Sequence, residues 1–304
     1  MGTGSAAAFL LPSDLVGYYN SSRVVLYGKT GARLVYEYVG DFHLHTTYSD
    51  GSQPHDVIAA AAIRAGLDFV VTTDHNVRVG GVEGYYRHRN GREVLLLTGE
   101  EVNDMVRPSP GNHLLVYGAG EMAPQAQGRH PQDALDAVNR AGGWAFLAHP
   151  TDRAVPWAGE DAYAWEDWDI FGYRGLELWN YMSSIKTLMS HPAAGVRTIV
   201  DPAGTMVGPE PETLALWDGL LRQGLRVAVI GNSDAHGAVV GRGPLRKTIF
   251  PYTFLFRCVH THVLFDGPLT GDWEADGAAL YRAIAGGRAF VGYGLPGDPR
   301  GFRF

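Results

Sequence analysis

One cysteine, Cys258, is all the chain contains, so no disulfide can form within it and no thiolate-based zinc site is available. A reducing, cytoplasmic setting is the expectation. Basic residues are also in short supply: 25 Lys and Arg against 32 Asp and Glu leave a formal charge of −7, and no overall basic field exists to draw in a nucleic-acid polymer or an anionic membrane. A local basic pocket remains open. Long apolar runs are missing too. The N-terminal MGTGSAAAFLLPSDLVG has a short apolar stretch with no basic residue before it, which reads as neither a secretory leader nor a membrane span. Disorder is excluded as well, because 45% hydrophobic and 19% charged residues suffice for a large core. At 304 residues, one large domain with decorations is expected.

What is present is a succession of apolar, β-branched runs that end in polar residues: 38-YVGDFHLH-45, 68-DFVVTTDH-75, 94-VLLLTGEE-101, 113-HLLVYG-118, 144-WAFLAHP-150, 175-GLELWN-180 and 226-RVAVIGNSD-234. Between them 54-PHDVIAAAAIRAG-66 opens with proline and closes with glycine, and 131–143 and 213–224 have helical punctuation of the same kind. Strands alternating with helices predict an α/β fold with a mostly parallel sheet, closed or open, whose site lies beyond the carboxyl ends of the strands.

The polar residues follow that rule. In 41-DFHLHTTYSDG-51, alternation turns His43 and His45 to one side and Phe42 and Leu44 to the other, and a turn at Asp50 can bring its carboxylate back toward the pair. Asp74 and His75 end the second run, Glu100 and Glu101 the third and His149 the fifth, while Asp234 and His236 follow the seventh. His113 is the exception, since it begins its run. Imidazoles and carboxylates gathered in this way suit zinc, manganese or iron. An H-x-H on an exposed edge strand is the bland alternative for the first pair, and 260-HTH-262 reads as ordinary strand residues. His55, His88, His130 and His191 receive no role.

The series H-x-H-T…S-D-G, T-D-H-N, G-x-E, N-H-L-L, A-H-P and S-D-A-H, from about residue 41 to 237, resembles the metal-ligand signature of the PHP (polymerase and histidinol phosphatase) family of hydrolases. The resemblance implies a distorted (β/α)7 barrel holding two or three divalent ions. It implies the ligands His43, His45, Asp50, His75, Glu101, His113, His149, Asp234 and His236. One ion would take His43, His45, Glu101 and Asp234; a second would share Glu101 and take His113 and His149; a third would take Asp50, His75 and His236. Glu101, Asp234 and His236 are the expected catalytic residues. With only three carboxylates in the set, the ions would keep charge and open coordination positions, and an activated water between them is a nucleophile at neutral pH.

Around this set, Asp74 either orients a ligand imidazole or caps the following loop, and Trp179 and Asn180 either line the pocket floor or belong to the core. Arg153 and Arg78 are candidate contacts for a substrate phosphate or carboxylate. The leading expectation is a phosphoesterase acting on a small phosphomonoester or phosphodiester. A carbamate, ester or amide hydrolase is the alternative, suggested by the aromatic 155–212 region and by a weaker similarity of E-L-W-N and G-R-A-F-V to a carbamate-hydrolysing branch. A catalytically silent metal-binding module is the third. Segment 17–40 is expected to form a β-hairpin, giving an N-terminal extension over 1–40 ahead of the hydrolase unit over 41–304, which ends in strand and helix decorations.

Overall fold

The structure, a computed structural model, describes residues 8–10, 15–20, 23–28, 35–103, 111–120, 130–240 and 247–302. Its first element is a three-stranded antiparallel sheet of β1 (Ala8–Leu10), β2 (Leu15–Asn20) and β3 (Arg23–Gly28). The antiparallel pair expected within 17–40 is therefore β2 with β3. The end of that segment instead opens the next strand.

A six-stranded sheet comprises β4 (Tyr36–Asp41), β5 (Phe69–Thr72), β6 (Gly84–Arg87), β7 (Glu93–Thr98) and two late strands. β4, β5 and β7 run parallel, with Gly40 opposite Phe69 and Phe69 opposite Leu95. A five-stranded sheet follows, with β8 (Glu100–Val102), β9 (Leu114–Tyr117), β10 (Trp144–Leu147), β11 (Gly175–Asn180) and β12 (Ala228–Asn232). β10, β11 and β12 are parallel, whereas β9 is antiparallel to both β8 and β10. A ribbon of β13 (Val239–Val240) and β14 (Lys247–Thr248) precedes β15 (Val259–Phe265) and β16 (Ala289–Tyr293), which complete the six-stranded sheet.

All seven apolar runs contain strands. The single closed barrel does not form among the described residues. Two features account for this. β15 pairs antiparallel along the free edge of β4, with Thr261 opposite Gly40, and occupies the edge that β12 would need. β12 reaches that strand's continuation only through an isolated parallel bridge between Leu44 and Ala235. On the other flank the chain passes from one sheet to the other at Gly99, and the sheets meet at a second bridge, His75 to Glu101. Both bridges lie at the end that carries the histidines.

The helices cover the outside. α1 (His55–Ala65) ends at Gly66, whose φ of 90° only glycine adopts at little cost and whose N–H caps Ala62 and Ile63. α2 (Pro131–Arg140), α3 (Tyr181–Leu188), α4 (Pro192–Val200), α5 (Pro202–Thr205) and α6 (Pro211–Arg222) follow, then α7 (Tyr252–Leu255) and α8 (Trp273–Ala285). Proline opens α2, α4, α5 and α6, where its missing N–H has no partner to lose. His130 and His191 prove to be cap residues, with ring nitrogens accepting from Gln132 N and Ala194 N. No helix among the described residues is long and apolar enough to cross a membrane.

Between the two sheets lies a core of Phe42, Phe69, Val71, Leu95, Leu115, Phe146 and Ile230. Phe42 touches the rings of Phe69 at 4.8 Å and Tyr117 at 5.6 Å. The Tyr117 hydroxyl donates to the Phe42 carbonyl at 2.8 Å, so the one polar atom of that ring is satisfied inside the core. This packed floor supports the chain where it leaves β4.

Candidate metal centre

β4 stops at Asp41, four residues before the expected end of its run, and the alternation lapses. Phe42 enters the core between the sheets, whereas Leu44 packs outward with Ile58 and Ala62 of α1. The two histidines converge nonetheless, with Nε2 atoms 3.2 Å apart. Backbone hydrogen bonds fix them, for His45 N donates to Ala235 O, Asp234 N to His43 O and Thr73 N to Leu44 O. The rim continues from Asn76 N to Glu101 O and from Ala148 N to His113 O, so each ligand-bearing segment is tied to the next.

All nine candidate ligands fall in one region. Glu101 is at its centre: Oε1 faces His113 Nδ1 at 2.7 Å and His149 Nε2 at 3.1 Å, while Oε2 faces His43 Nε2 at 3.2 Å, His45 Nε2 at 3.1 Å and His75 Nδ1 at 3.2 Å. Asp234 Oδ1 lies 3.3 Å from His43 Nε2 and 3.1 Å from His45 Nε2. At the mouth, Asp50 Oδ2 stands 3.3 Å from His236 Nε2 and 3.6 Å from His75 Nε2. The ligand-capable atoms form overlapping groups: His45, Asp50, His75 and His236; His43, His149 and Asp234; His43, His45 and Glu101; and His75, Glu101 and His113. They overlap more than a division into three separate sets, because His75 faces Glu101 through one nitrogen and Asp50 through the other.

The residues fit divalent cations. Ligands about 2.1 Å from an ion stand roughly 3.0–3.4 Å apart in octahedral or tetrahedral coordination, which matches most of these separations. Asp234 Oδ1 is buried with no hydrogen-bond partner among the described residues, as is the second nitrogen of His149. Without a cation or proton between them, electron-rich atoms would face each other at van der Waals contact.

Electrostatics point the same way. Burial alone would lower the imidazole pKa values, but the carboxylates of Asp234 and Glu101 outweigh it, raising His45 to about 10 and His43 well above its ordinary value. Burial would raise Glu101 and Asp234; the facing imidazoles hold both far below the usual range. His75 goes the other way, lowered to about 4 by burial with help from His45 and His113. The backbone is strained here as well. His149 at φ 25° and Asp234 at φ 54° occupy the left-handed region that side chains avoid.

Access is from the Asp50 side. Its side chain is 54% exposed, whereas those of His43 and His45 are fully buried. Asp74 does not touch His75; it accepts from Thr46 N and Oγ1 at 2.8 Å and Ser49 Oγ at 2.7 Å, and so holds the turn that presents Asp50. Trp179 is buried and donates to Ser184 Oγ, whereas Asn180 reaches Asp234 Oδ2 at 3.1 Å. Of the two arginines, Arg153 pairs with exposed Glu212 at 2.8 Å and Arg78 with buried Glu83 at 2.7 Å.

Sequence reasoning passed over Glu177. Fully buried on β11, it faces His43 Nδ1 at 3.1 and 3.3 Å and accepts from the backbone N–H of His149 at 3.0 Å. The available signal was a carboxylate between two leucines in an otherwise apolar run.

Among solved structures, similarity is found to a two-domain protein containing a predicted PHP-like metal-dependent phosphoesterase from Bacteroides vulgatus (17% identity, TM-score 0.46), covering 85% of this chain and 65% of that one. A candidate metal-dependent phosphoesterase from Bifidobacterium adolescentis matches at 16% identity and TM-score 0.36, over 69% of this chain and 90% of its own. An amidohydrolase from Chromobacterium violaceum, with bound sulfate and no metal, matches at 15% identity and TM-score 0.36, over 67% and 92%. The chain thus spans a little under two thirds of the first of these. No curated protein matches it. A family model does match: that of the PHP domain matches residues 41–138, the segment that contains His43, His45, Asp50, His75, Glu101 and His113.

Proposed function

We propose that this protein is a metal-dependent phosphoesterase that hydrolyses a small phosphomonoester or phosphodiester. The observation that carries the reading is Glu101, one buried carboxylate faced by five imidazole nitrogens, which can be shared between adjacent ions. Two or three zinc, manganese or iron ions would be held by the nine residues named above, and when bound they would supply an activated water and stabilise charge on the attacked group. The protein's own part is placement. His43, His45, Glu101 and Asp234 form the dry floor, which excludes bulk water. Asp50, His75 and His236 line the open side where a substrate oxygen arrives. Asp234, strained and with Oδ1 facing His43 and His45, is the residue we assign as ligand and proton acceptor.

Arg153 is the more easily freed of the two arginines for an anionic substrate. Its exposed pair with Glu212 is worth ~1 kcal/mol or less, so exchanging that partner for a phosphate costs little. We place the hydrolytic unit at 41–304 and treat 1–40 as an extension. The buried thiol of Cys258 suits a reducing cytoplasm.

The same centre suits a carbamate, ester or amide. Two observations favour that second reading: both candidate arginines already face carboxylates, and the ring of Tyr163 lies 5.3 Å from that of His113, giving the site an aromatic wall. The test is hydrolysis of a chromogenic phosphomonoester, a phosphodiester and an aryl carbamate by protein reconstituted with each metal, against Asp234→Ala. Phosphate release by the wild type alone supports the first reading, and carbamate cleavage alone supports the second. No turnover of any substrate with every metal would refute both.

A further inference from the structure

Glu177 lies outside the set of candidate ligands, yet its surroundings determine the state of one of them. Three of its neighbours can only donate. The backbone N–H of His149 reaches Oε2 at 3.0 Å. The Asn180 side chain has its oxygen committed to Ser183 N at 2.8 Å, so its NH2 group is what faces Oε2 at 2.9 Å. Asn232 likewise accepts from Phe42 N at 2.8 Å and must donate to Oε1 at 2.9 Å. Both oxygens of Glu177 are therefore acceptors, and His43 Nδ1, which faces both, has to carry a hydrogen. That leaves Nε2 as the His43 nitrogen that faces Glu101, Asp234 and His45 and that a cation can take in place of its proton.

Resting on the metal-dependent reading above, we infer that Glu177 is the positioning residue of the centre, fixing the His43 tautomer and joining its separate walls. It holds His43 directly. It holds His149 through the N–H of a residue strained at φ 25°, and Asp234 through Asn180, whose NH2 group lies 3.1 Å from Oδ2. Three candidate ligands, from the ends of β4, β10 and β12, thus depend on one carboxylate of β11. An amide cannot replace it: in either orientation its NH2 would face at least two donors.

The experiment is a metal titration of chelator-stripped protein against a chromogenic chelator, using zinc and manganese alone as probes. Glu177→Gln is expected to weaken affinity roughly 10–100-fold, the usual cost of losing a group that orients a metal-bound histidine. Glu177→Asp, which keeps two acceptor oxygens but withdraws them, should fall between Gln and wild type and covers the case in which Gln does not fold. Glu37→Gln is the control. That carboxylate is equally buried and pairs with His262 Nδ1 at 2.7 Å away from the centre, so it shares the stability cost without the positioning role.

Affinity within threefold of wild type in both Glu177 variants, or an equal loss in Glu37→Gln, would overturn the inference. In the zinc-loaded wild type, nitrogen-15 spectra should show His43 protonated at Nδ1, and a proton at Nε2 would contradict it. A wild type that binds no metal removes the proposed function as well. One that binds and hydrolyses, with Glu177→Gln unchanged, removes only this inference.

Discussion

Stripped of metal, the protein should lose stability steadily as pH rises from 6.5 to 9. In the metal-free state His45 is raised from 6.5 to about 10, with burial opposing the shift and Glu101 and Asp234 imposing it. A base with a raised folded pKa contributes its full stabilisation below the unfolded value and loses it as pH climbs through the folded one. For pKa values of 6.5 and about 10, the stabilising ratio falls from about 3.2 log units at pH 6.5 to about 1.0 at pH 9, or roughly 3 kcal/mol at 1.36 kcal/mol per unit. His43 and His149 are raised too and act in the same direction. Asp41, lifted by burial to about 7, adds a smaller fall near the start of the window, which His45→Asn shares and which cancels in the difference. Cys258, pushed up to about 12, sets the upper limit, since its thiol begins to matter above pH 9. The assay is urea unfolding of chelator-treated wild type and His45→Asn at pH 6.5, 7.5 and 9. The wild type should lose about 3 kcal/mol more than the variant across that range. Parallel, flat profiles would refute the electrostatic account of the site.

Other expectations follow from the same geometry. Because bound ions must displace the protons on His43 and His45, metal affinity should rise with pH by about tenfold per unit for each proton released, read by calorimetry in buffers of different ionisation enthalpy; a pH-independent affinity would contradict it. Gly40→Ala would place a Cβ 2.3 Å from the Phe69 carbonyl oxygen, a backbone atom that cannot step aside, so thermal unfolding should show a loss of about 1–3 kcal/mol or more. Asp74→Ala strands Thr46 N and frees the turn before Asp50, which should cost about 1–3 kcal/mol and reduce metal stoichiometry before it reduces helix content. Unchanged stoichiometry would separate that turn from the centre.

The fold and the site were legible to different depths, and the sheets explain why. Every run contains a strand because apolar residues bounded by turn formers define strands locally, but closure depends on which strand takes a free edge. β15 takes that of β4, and nothing within either segment announces the pairing. His43 and His45 were found for a reason that half fails: the chain leaves regular strand geometry at Asp41, and the imidazoles converge because Ala235 and Asp234 grip the backbone from across the sheet.

His113, the residue that seemed misplaced, resolves most fully. It begins its run, and the rule of carboxyl ends would put it on the far side of the molecule. β9, however, runs antiparallel to β10, so its start lies beside the end of β10, and Ala148 N donates to His113 O one residue before His149. Strand direction decides the side on which a histidine emerges, and a single run carries no sign of its direction. Glu177 escaped because attention to strand ends favours residues that can meet a substrate. A carboxylate flanked by Leu176 and Leu178 is costly to bury without partners. Its presence in so apolar a strand therefore implied the donors that surround it, and with them a residue whose task is to hold the ligands in place.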